Sequence, residues 1–308
     1  MWPGWRFDDG PRHSGLDDRT IEVRTGSESR QGSYRMDLSP EHPLRLLHLD
    51  DTIVAIDKPP GLLVHRSSLD AREMRSAADL LRAQLGEPVW LLHRLDKATS
   101  GVLAFARNAE AARAFGQAFE SGQVGKRYLA LVRGWPPTEG EIDYPLARDP
   151  EEPSAGQVRL PATTRYRRLA CFQWPFADGR HATSRYALME IEPLSGRRHQ
   201  IRRHFKHVAH PLVGDTTHGK GAHNRAVAAW LGTSRLWLHA LRLELPAIGD
   251  EPALTIEAAP GDEWGPLLGN AVRAQENVLP APAGQALTPG RPGGPGVPAA
   301  SPRRELPR

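Results

Sequence analysis

Cysteine is almost absent from this sequence, since Cys171 is the only one in 308 residues. One thiol cannot form a disulfide framework within the chain or a zinc centre built from several thiolates. Long apolar runs are also missing, because no window approaches the roughly 18 apolar residues of a membrane span. The first residues, MWPGWRFDDG, lack the basic segment and apolar stretch of a secretion signal. We therefore expect a soluble cytoplasmic protein that is not exported.

A strong excess of one charge sign is absent too. The formal net charge is +4 and the isoelectric point is about 9.4, which permits a polyanionic partner without requiring one. The basic residues are concentrated in 197–206, RRHQIRRHFK, which holds five Lys or Arg and two His but no acid. Taken alone, such a run is typical of a solvated helix face.

Composition divides the chain into three parts. Residues 1–42 are polar and show no sustained periodicity, so we expect a flexible N-terminal arm. Residues 271–308 are rich in proline and glycine, which predicts a disordered C-terminal tail. The folded domain is therefore predicted over 43–270.

Within this domain the apolar segments predict more strands than helices. Because the strands do not alternate regularly with helices, we expect an α+β fold around a mixed, mainly antiparallel sheet flanked by helices. The predicted strands are Thr52–Ile56, 102–106, 126–134, 183–193, 237–246 and 253–258.

Helical spacing predicts two helices. The first begins after Asn108, a candidate N-cap, and stops at Gly122. The second covers 196–210 and has two sides. Its apolar stripe consists of Ile201, Phe205 and Val208, and its basic side of Arg198, Arg202 and Lys206.

Two patterns suggest other functions and are disfavoured. The segment 214–221, GDTTHGKG, has the spacing of a phosphate-binding loop, but Gly221 replaces the Ser or Thr that holds magnesium. We also expect AHNR to separate this segment from any helix. Four histidines, His199, His204, His207 and His210, could suggest a metal site, but their spacing does not align an i, i+4 pair and no carboxylate lies among them. We expect RNA-facing or capping roles for them.

The segment 93–101, HRLDKATSG, places one carboxylate, Asp96, between Arg94 and Lys97. In a plain surface loop this aspartate would pair with Arg94 or cap a turn. Three features elsewhere favour a functional interpretation. They are Tyr128 in KRYLALV, Arg202 in RRHQIR and His239 in LWLHALRLEL.

Taken in order, these segments resemble the RluA-type pseudouridine synthases. The resemblance extends upstream to DKPPGLLVHRSSLD at 57–70 and covers about 45–265. Several stretches, such as GDTTHGKGAHNR, resemble the branch that modifies nucleotide 65 of tRNA. The matching motifs are HRLDKATSG, KRYLALVRGW at 126–135, GRRHQIRRH at 196–204, HPLVGD at 210–215 and LHALRL at 238–243.

The resemblance implies the pseudouridine synthase fold, a catalytic domain over 43–270 and isomerisation of uridine to pseudouridine in RNA, with tRNA as the partner. Glycoside hydrolysis normally uses two carboxylates. Here the base is retained and water is kept out, which suits a single carboxylate, and the resemblance makes Asp96 the catalytic residue. Asp96 either adds covalently to the substrate or removes a proton from the sugar.

The resemblance also implies roles for other residues. Arg202 holds the Asp96 carboxylate, Tyr128 stacks on the flipped base, Ile201 lines the pocket and Arg94 contacts RNA. The reaction is redox neutral and requires no metal or organic cofactor, and we expect no membrane and no obligate protein partner. The expected phosphate contacts are Lys126, Arg127, Arg197, Arg198, Arg203 and Lys206.

Two alternatives remain open at this point. One is the same reaction on ribosomal RNA. The other is a non-catalytic RNA-binding protein that uses the same basic face.

Overall fold

The computed structural model describes residues 43–65, 75–152, 154–177, 181–249 and 251–269. The arm predicted over 1–42 and the tail predicted over 271–308 lie outside the described residues, so those domain bounds stay predictions.

The described part of the chain contains a large sheet, a small hairpin sheet and four α-helices of eight or more residues. The helices are α1 (Ala77–Leu85), α2 (Ala109–Glu120), α3 (Gln200–His207) and α4 (Gly221–Leu231). The strands are β1 (Leu46–Leu49), β2 (Ile53–Lys58), β3 (Trp90–Leu91), β4 (Ser100–Ala106), β5 (Gly125–Arg133), β6 (Glu139–Asp143), β7 (Leu146–Ala147), β8 (Arg159–Leu160), β9 (Thr163–Trp174), β10 (Ser184–Pro193), β11 (Leu238–Leu245) and β12 (Leu254–Glu257).

The large sheet has the strand order β1-β2-β4-β11-β5-β10-β9-β6, with β12 added on β11 and β3 on β4. Among the strand pairs described, only β4 and β11 run parallel. The expected mixed, mainly antiparallel sheet is therefore confirmed. The parallel pair places Ser100 opposite His239 and Gly101 opposite Ala240, so the end of HRLDKATSG meets the start of LHALRL.

Helix α2 follows the prediction closely. Asn108 accepts a hydrogen bond at Oδ1 from the backbone N–H of Ala111 at 2.8 Å, as an N-cap does. Gly122, just beyond the end of the helix, has a φ of 75°, a conformation that glycine adopts without strain. Phe115 is buried against the sheet.

Helix α3 is shorter than predicted, and its basic side is not uniformly solvated. The backbone is left-handed just before it at His199, with a φ of 54°, and just after it at Ala209, with a φ of 64°. Ile201 and Phe205 are buried as expected, but Arg202 is buried too. A guanidinium tolerates burial when carboxylates pair with it, and that pairing creates the candidate site described below.

Helix α4 corrects the interpretation of GDTTHGKGAHNR. The helix begins at Gly221, so AHNR lies within it and does not separate the glycine-rich turn from a helix. In that turn the Asp215 carboxylate accepts hydrogen bonds from the backbone N–H groups of Thr217 and His218, at 2.9 and 2.8 Å. A carboxylate therefore occupies two of the donors that a phosphate-binding loop would offer to phosphate.

His239 joins the two parallel strands from inside the core. Its Nδ1 lies 2.9 Å from the Ser100 hydroxyl, and its Nε2 lies 2.9 Å from the carbonyl of Ala258. The ring is 2% exposed and lines neither of the two cavities described below. Burial, opposed by the hydrogen bond to Ala258, lowers the pKa of His239 to about 4.

This burial predicts an acid-labile fold. Because the folded-state pKa of His239 is lower than its unfolded value, its contribution to stability is present above pH 6.5 and is lost as the pH falls toward 4. We expect His239→Gln to reduce the slope of unfolding free energy against pH by about 1.4 kcal/mol per pH unit in that window. Urea unfolding at several pH values measures the slope, and an unchanged slope would contradict the assignment.

Candidate active site

Asp96 lies in the loop between β3 and β4, and a buried lysine holds that loop in place. Lys58, at the end of β2, is fully buried and donates hydrogen bonds to the carbonyls of Pro59, Leu62 and Lys97, at 2.8, 2.9 and 3.1 Å. Burial lowers the pKa of Lys58 to about 7, although the negative charge of Asp96 opposes the shift. One lysine amino group thus ties the turn after β2 to the Asp96 loop.

Arg202 joins two carboxylates that are far apart in sequence. Its Nη1 donates to Asp96 Oδ2 at 2.9 Å. Its Nε and Nη2 donate to Asp215 Oδ2 and Oδ1, at 2.7 and 2.9 Å, which is the two-pronged geometry that a guanidinium favours. The side chain of Asp215 is 0% exposed and that of Asp96 is 23% exposed, so only Asp96 presents its carboxylate to solvent.

The pKa shifts explain why this buried cluster stays charged. Burial acts to raise the pKa of Asp215, but the hydrogen bonds from Arg202 and from the His218 backbone outweigh it, and the net shift is downward. Burial acts to lower the pKa of Arg202, and the two carboxylates outweigh it in the other direction. The cluster holds one cation between two anions.

Two adjoining cavities meet at this cluster. The larger has a volume of about 1110 Å³ and the smaller about 610 Å³. Arg94, Asp96, His199 and Arg202 line both. Among the described lining residues, Asp96 is the only carboxylate shared by the two cavities.

The smaller cavity brings together the residues singled out in the sequence. Tyr128 on β5 and Ile201 on α3 line it together with Arg94, Asp96 and Arg202. Burial foremost, and then the charge of Asp96, raise the pKa of Tyr128, so its phenol is neutral at physiological pH. An aromatic ring, an apolar side chain and a carboxylate therefore face one space.

The six expected phosphate contacts are more scattered. Arg197 lines both cavities and Lys126 lines the smaller one. Arg198 lines only the larger one and pairs with Glu151. Arg127 lines neither cavity, and it lies 3.5 Å from Glu190.

The remaining two expected phosphate contacts, Arg203 and Lys206, lie on α3 outside the linings of both cavities. Arg203 donates to the carbonyl of Ala147 at 2.9 Å, and Lys206 is exposed on the same helix. His204, expected to face RNA or cap a helix, is instead fully buried and bonds to Thr164 and the carbonyl of Tyr144.

Sequence reasoning did not single out Lys58 or Asp215 as members of the site, and it gave His199 only an RNA-facing or capping role. Lys58 and Asp215 stand inside the quoted segments DKPP and HPLVGD, which was the available signal. Their roles depend on contacts between distant loops, which periodicity and spacing do not report.

Comparison with known proteins identifies the class that this fold and cluster define. Residues 52–207 match the family model described as RNA pseudouridylate synthase. The chain belongs to this family of isomerases. The human RNA pseudouridylate synthase domain containing 1 superposes with a TM-score of 0.58 at 25% identity, covering 79% of this chain and 98% of that one.

Within the family, the curated relatives point to one RluA-type branch. The chain is 43% identical to "tRNA pseudouridine synthase C" of Haemophilus ducreyi, over 72% of this chain and 93% of that protein. It is 41% identical to the Vibrio cholerae protein of the same name, over 73% and 94%. It is also 42% identical to the one from Pectobacterium carotovorum, but there it spans only 60% of the relative's length.

Proposed function

We propose that this protein isomerises uridine to pseudouridine in tRNA, at nucleotide 65 as in the branch it resembles, and that Asp96 is its catalytic residue. The observation that carries the proposal is the position of Asp96. It is held by Arg202 at 2.9 Å, remains partly exposed, and lies where two cavities meet.

The reaction assigns a definite task to that carboxylate. The bond from C1′ to N1 of the base breaks, the base rotates, and a bond from C1′ to C5 forms. Asp96 either adds to the substrate or removes a sugar proton, and either route needs an ionised oxygen in a fixed direction. Arg202 supplies the direction, because Asp215 holds the other edge of its guanidinium. The isomerisation is redox neutral and requires no electron carrier.

The base must leave the stack before Asp96 can reach its sugar, at a cost of roughly a few kcal/mol. The cavity of about 610 Å³ provides the receiving space, with Tyr128 as a stacking surface and Ile201 as an apolar wall. Stacking on one aromatic ring returns about 1–3 kcal/mol. Arg94 is exposed at the rim of both cavities, where it meets the RNA and enters the gap that the base leaves.

The phosphate contacts predict a salt-dependent affinity. Lys206 is exposed at the end of α3, so its loss removes one cation from the RNA-facing side. We expect Lys206→Ala to raise KM, leave kcat unchanged and reduce the slope of log affinity against log salt by about one. Lys206→Arg is the matched control and keeps the slope. If only kcat changes, the contact is wrongly assigned.

The choice of RNA rests on the name of the relatives, tRNA pseudouridine synthase C. We further place the protein in the cytoplasm and expect it to act without a partner protein. In the described residues, no helix has the length and apolar character to cross a membrane.

The test is tritium release from tRNA labelled at C5 of uridine, with the purified protein alone. Release, followed by mapping of the modified nucleotide to position 65, is the expected result. Tritium release from ribosomal RNA and not from tRNA would mean that ribosomal RNA is the substrate. Binding without release from either RNA would make the protein a non-catalytic RNA binder and overturn the proposal.

A further inference from the structure

His199 occupies the cleft in an unusual backbone conformation. Its φ of 54° lies in the left-handed region, which few residues other than glycine adopt. It stands at the N-cap position of α3, yet its side chain makes no capping hydrogen bond. Strained backbone of this kind concentrates at functional sites. The imidazole makes no contact that caps the helix, and His199 lines both cavities.

The ring of His199 lies between the Asp96 carboxylate and a second imidazole. Its Nε2 is 3.8 Å from Asp96 Oδ1, which is too long for a hydrogen bond. Its Nδ1 faces Nε2 of His218 at 3.4 Å, and the two rings meet edge to face. The Nε2 lone pair is thus available to a substrate atom beside Asp96, while Nδ1 is directed toward His218.

Burial keeps both imidazoles neutral. Burial lowers the pKa of His199, with Arg202 and Arg198 acting in the same direction and Asp96 and Asp215 opposing them. Burial, as the largest cause, also lowers the pKa of His218 to about 4. Both rings are therefore neutral at physiological pH, and each has one ring nitrogen whose lone pair can receive a proton.

The isomerisation requires such an acceptor in its last step. Once C1′ is bonded to C5, that carbon still carries its hydrogen, and the pyrimidine is restored only when the proton leaves. C1′ lies against Asp96 during the reaction, and C5 is then one bond away from C1′. A base 3.8 Å from the Asp96 carboxylate is therefore within reach of C5.

We propose that His199 is a second catalytic residue whose Nε2 accepts the C5 proton, an inference that rests on the proposed function. The C5–H bond breaks and its electron pair forms the C5–C6 double bond. The C6–N1 double-bond pair moves to N1, which takes a proton from water. The proton gained at Nε2 is balanced by release of the Nδ1 proton to Nε2 of His218, which passes it to solvent.

The variant that tests this step is His199→Gly, because glycine adopts a φ of 54° without strain. The substrate is a tRNA transcript carrying deuterium at C5 of its uridines. We expect kcat to fall about 10²-fold and C5 proton removal to become slowest, so that deuterium slows the variant more than the wild type. Added imidazole should restore kcat. His48→Ala, on β1 outside both cavity linings, is the histidine control.

Each outcome decides between specific claims. A merely structural role for His199 lowers the rate of earlier steps, so it gives no new isotope effect and no rescue by imidazole. That result, or an unchanged kcat, would overturn the inference and leave the proposed function intact. A wild-type protein that makes no pseudouridine would overturn both.

Discussion

Asp96→Asn converts no uridine while it still binds RNA. The substitution removes the charge and keeps the shape of the side chain, so neither covalent addition nor removal of a sugar proton is possible. Loss of a nucleophile or its equivalent typically costs at least about 10⁴-fold in kcat. The expected result is tritium release at background level, with an unchanged dissociation constant for tRNA measured by filter binding.

The structure explains why this variant should fold. Arg202 keeps both hydrogen bonds to Asp215, and its Nη1 can still donate to the amide oxygen of the asparagine. Asp57→Asn is a matched control, since this carboxylate lies at 3.6 Å from Arg45 and lines neither cavity. Measurable turnover by Asp96→Asn, with normal turnover by Asp57→Asn, would remove Asp96 from the catalytic role.

The parts of the fold that depend on local patterns could be predicted. Helix α2 has a capping residue at Asn108, an apolar stripe and a glycine after its end, and all three act over a few residues. The mainly antiparallel sheet followed from strands that do not alternate with helices. The parallel pairing of β4 with β11 could not be predicted, because it joins segments more than a hundred residues apart.

The errors at α3 and α4 also have a physical cause. A basic run predicts a solvated face only when no acid reaches it from elsewhere in the fold. Arg202 is buried because Asp96, 106 residues earlier, and Asp215, 13 residues later, meet its guanidinium. The turn before helix α4 is closed by hydrogen bonds to Asp215, which is likewise a contact that spacing does not show.

In the candidate site, too, some residues could be predicted from the sequence and others could not. The resemblance singled out Asp96, Tyr128, Ile201 and Arg202, and the structure places all four on one cavity. The residues that support them belong to other loops. Lys58 holds the Asp96 loop in place, and its three carbonyl partners come from two different turns. Supporting residues of this kind are visible only once the chain is folded.

Arg202→Lys tests whether Asp96 depends on Arg202 for the orientation of its carboxylate or only for a nearby positive charge. A lysine ammonium keeps the positive charge but lacks the planar fork that reaches Asp215 with Nε and Nη2 and Asp96 with Nη1. We expect kcat to fall about 10²–10³-fold, comparable to the loss of one fixed donor in other active sites, with little change in KM. Arg165→Lys, an exposed arginine paired with Glu141 on β6, is the control. A normal kcat with a raised KM would mean that Arg202 binds RNA and that the Asp96 carboxylate is oriented by other contacts.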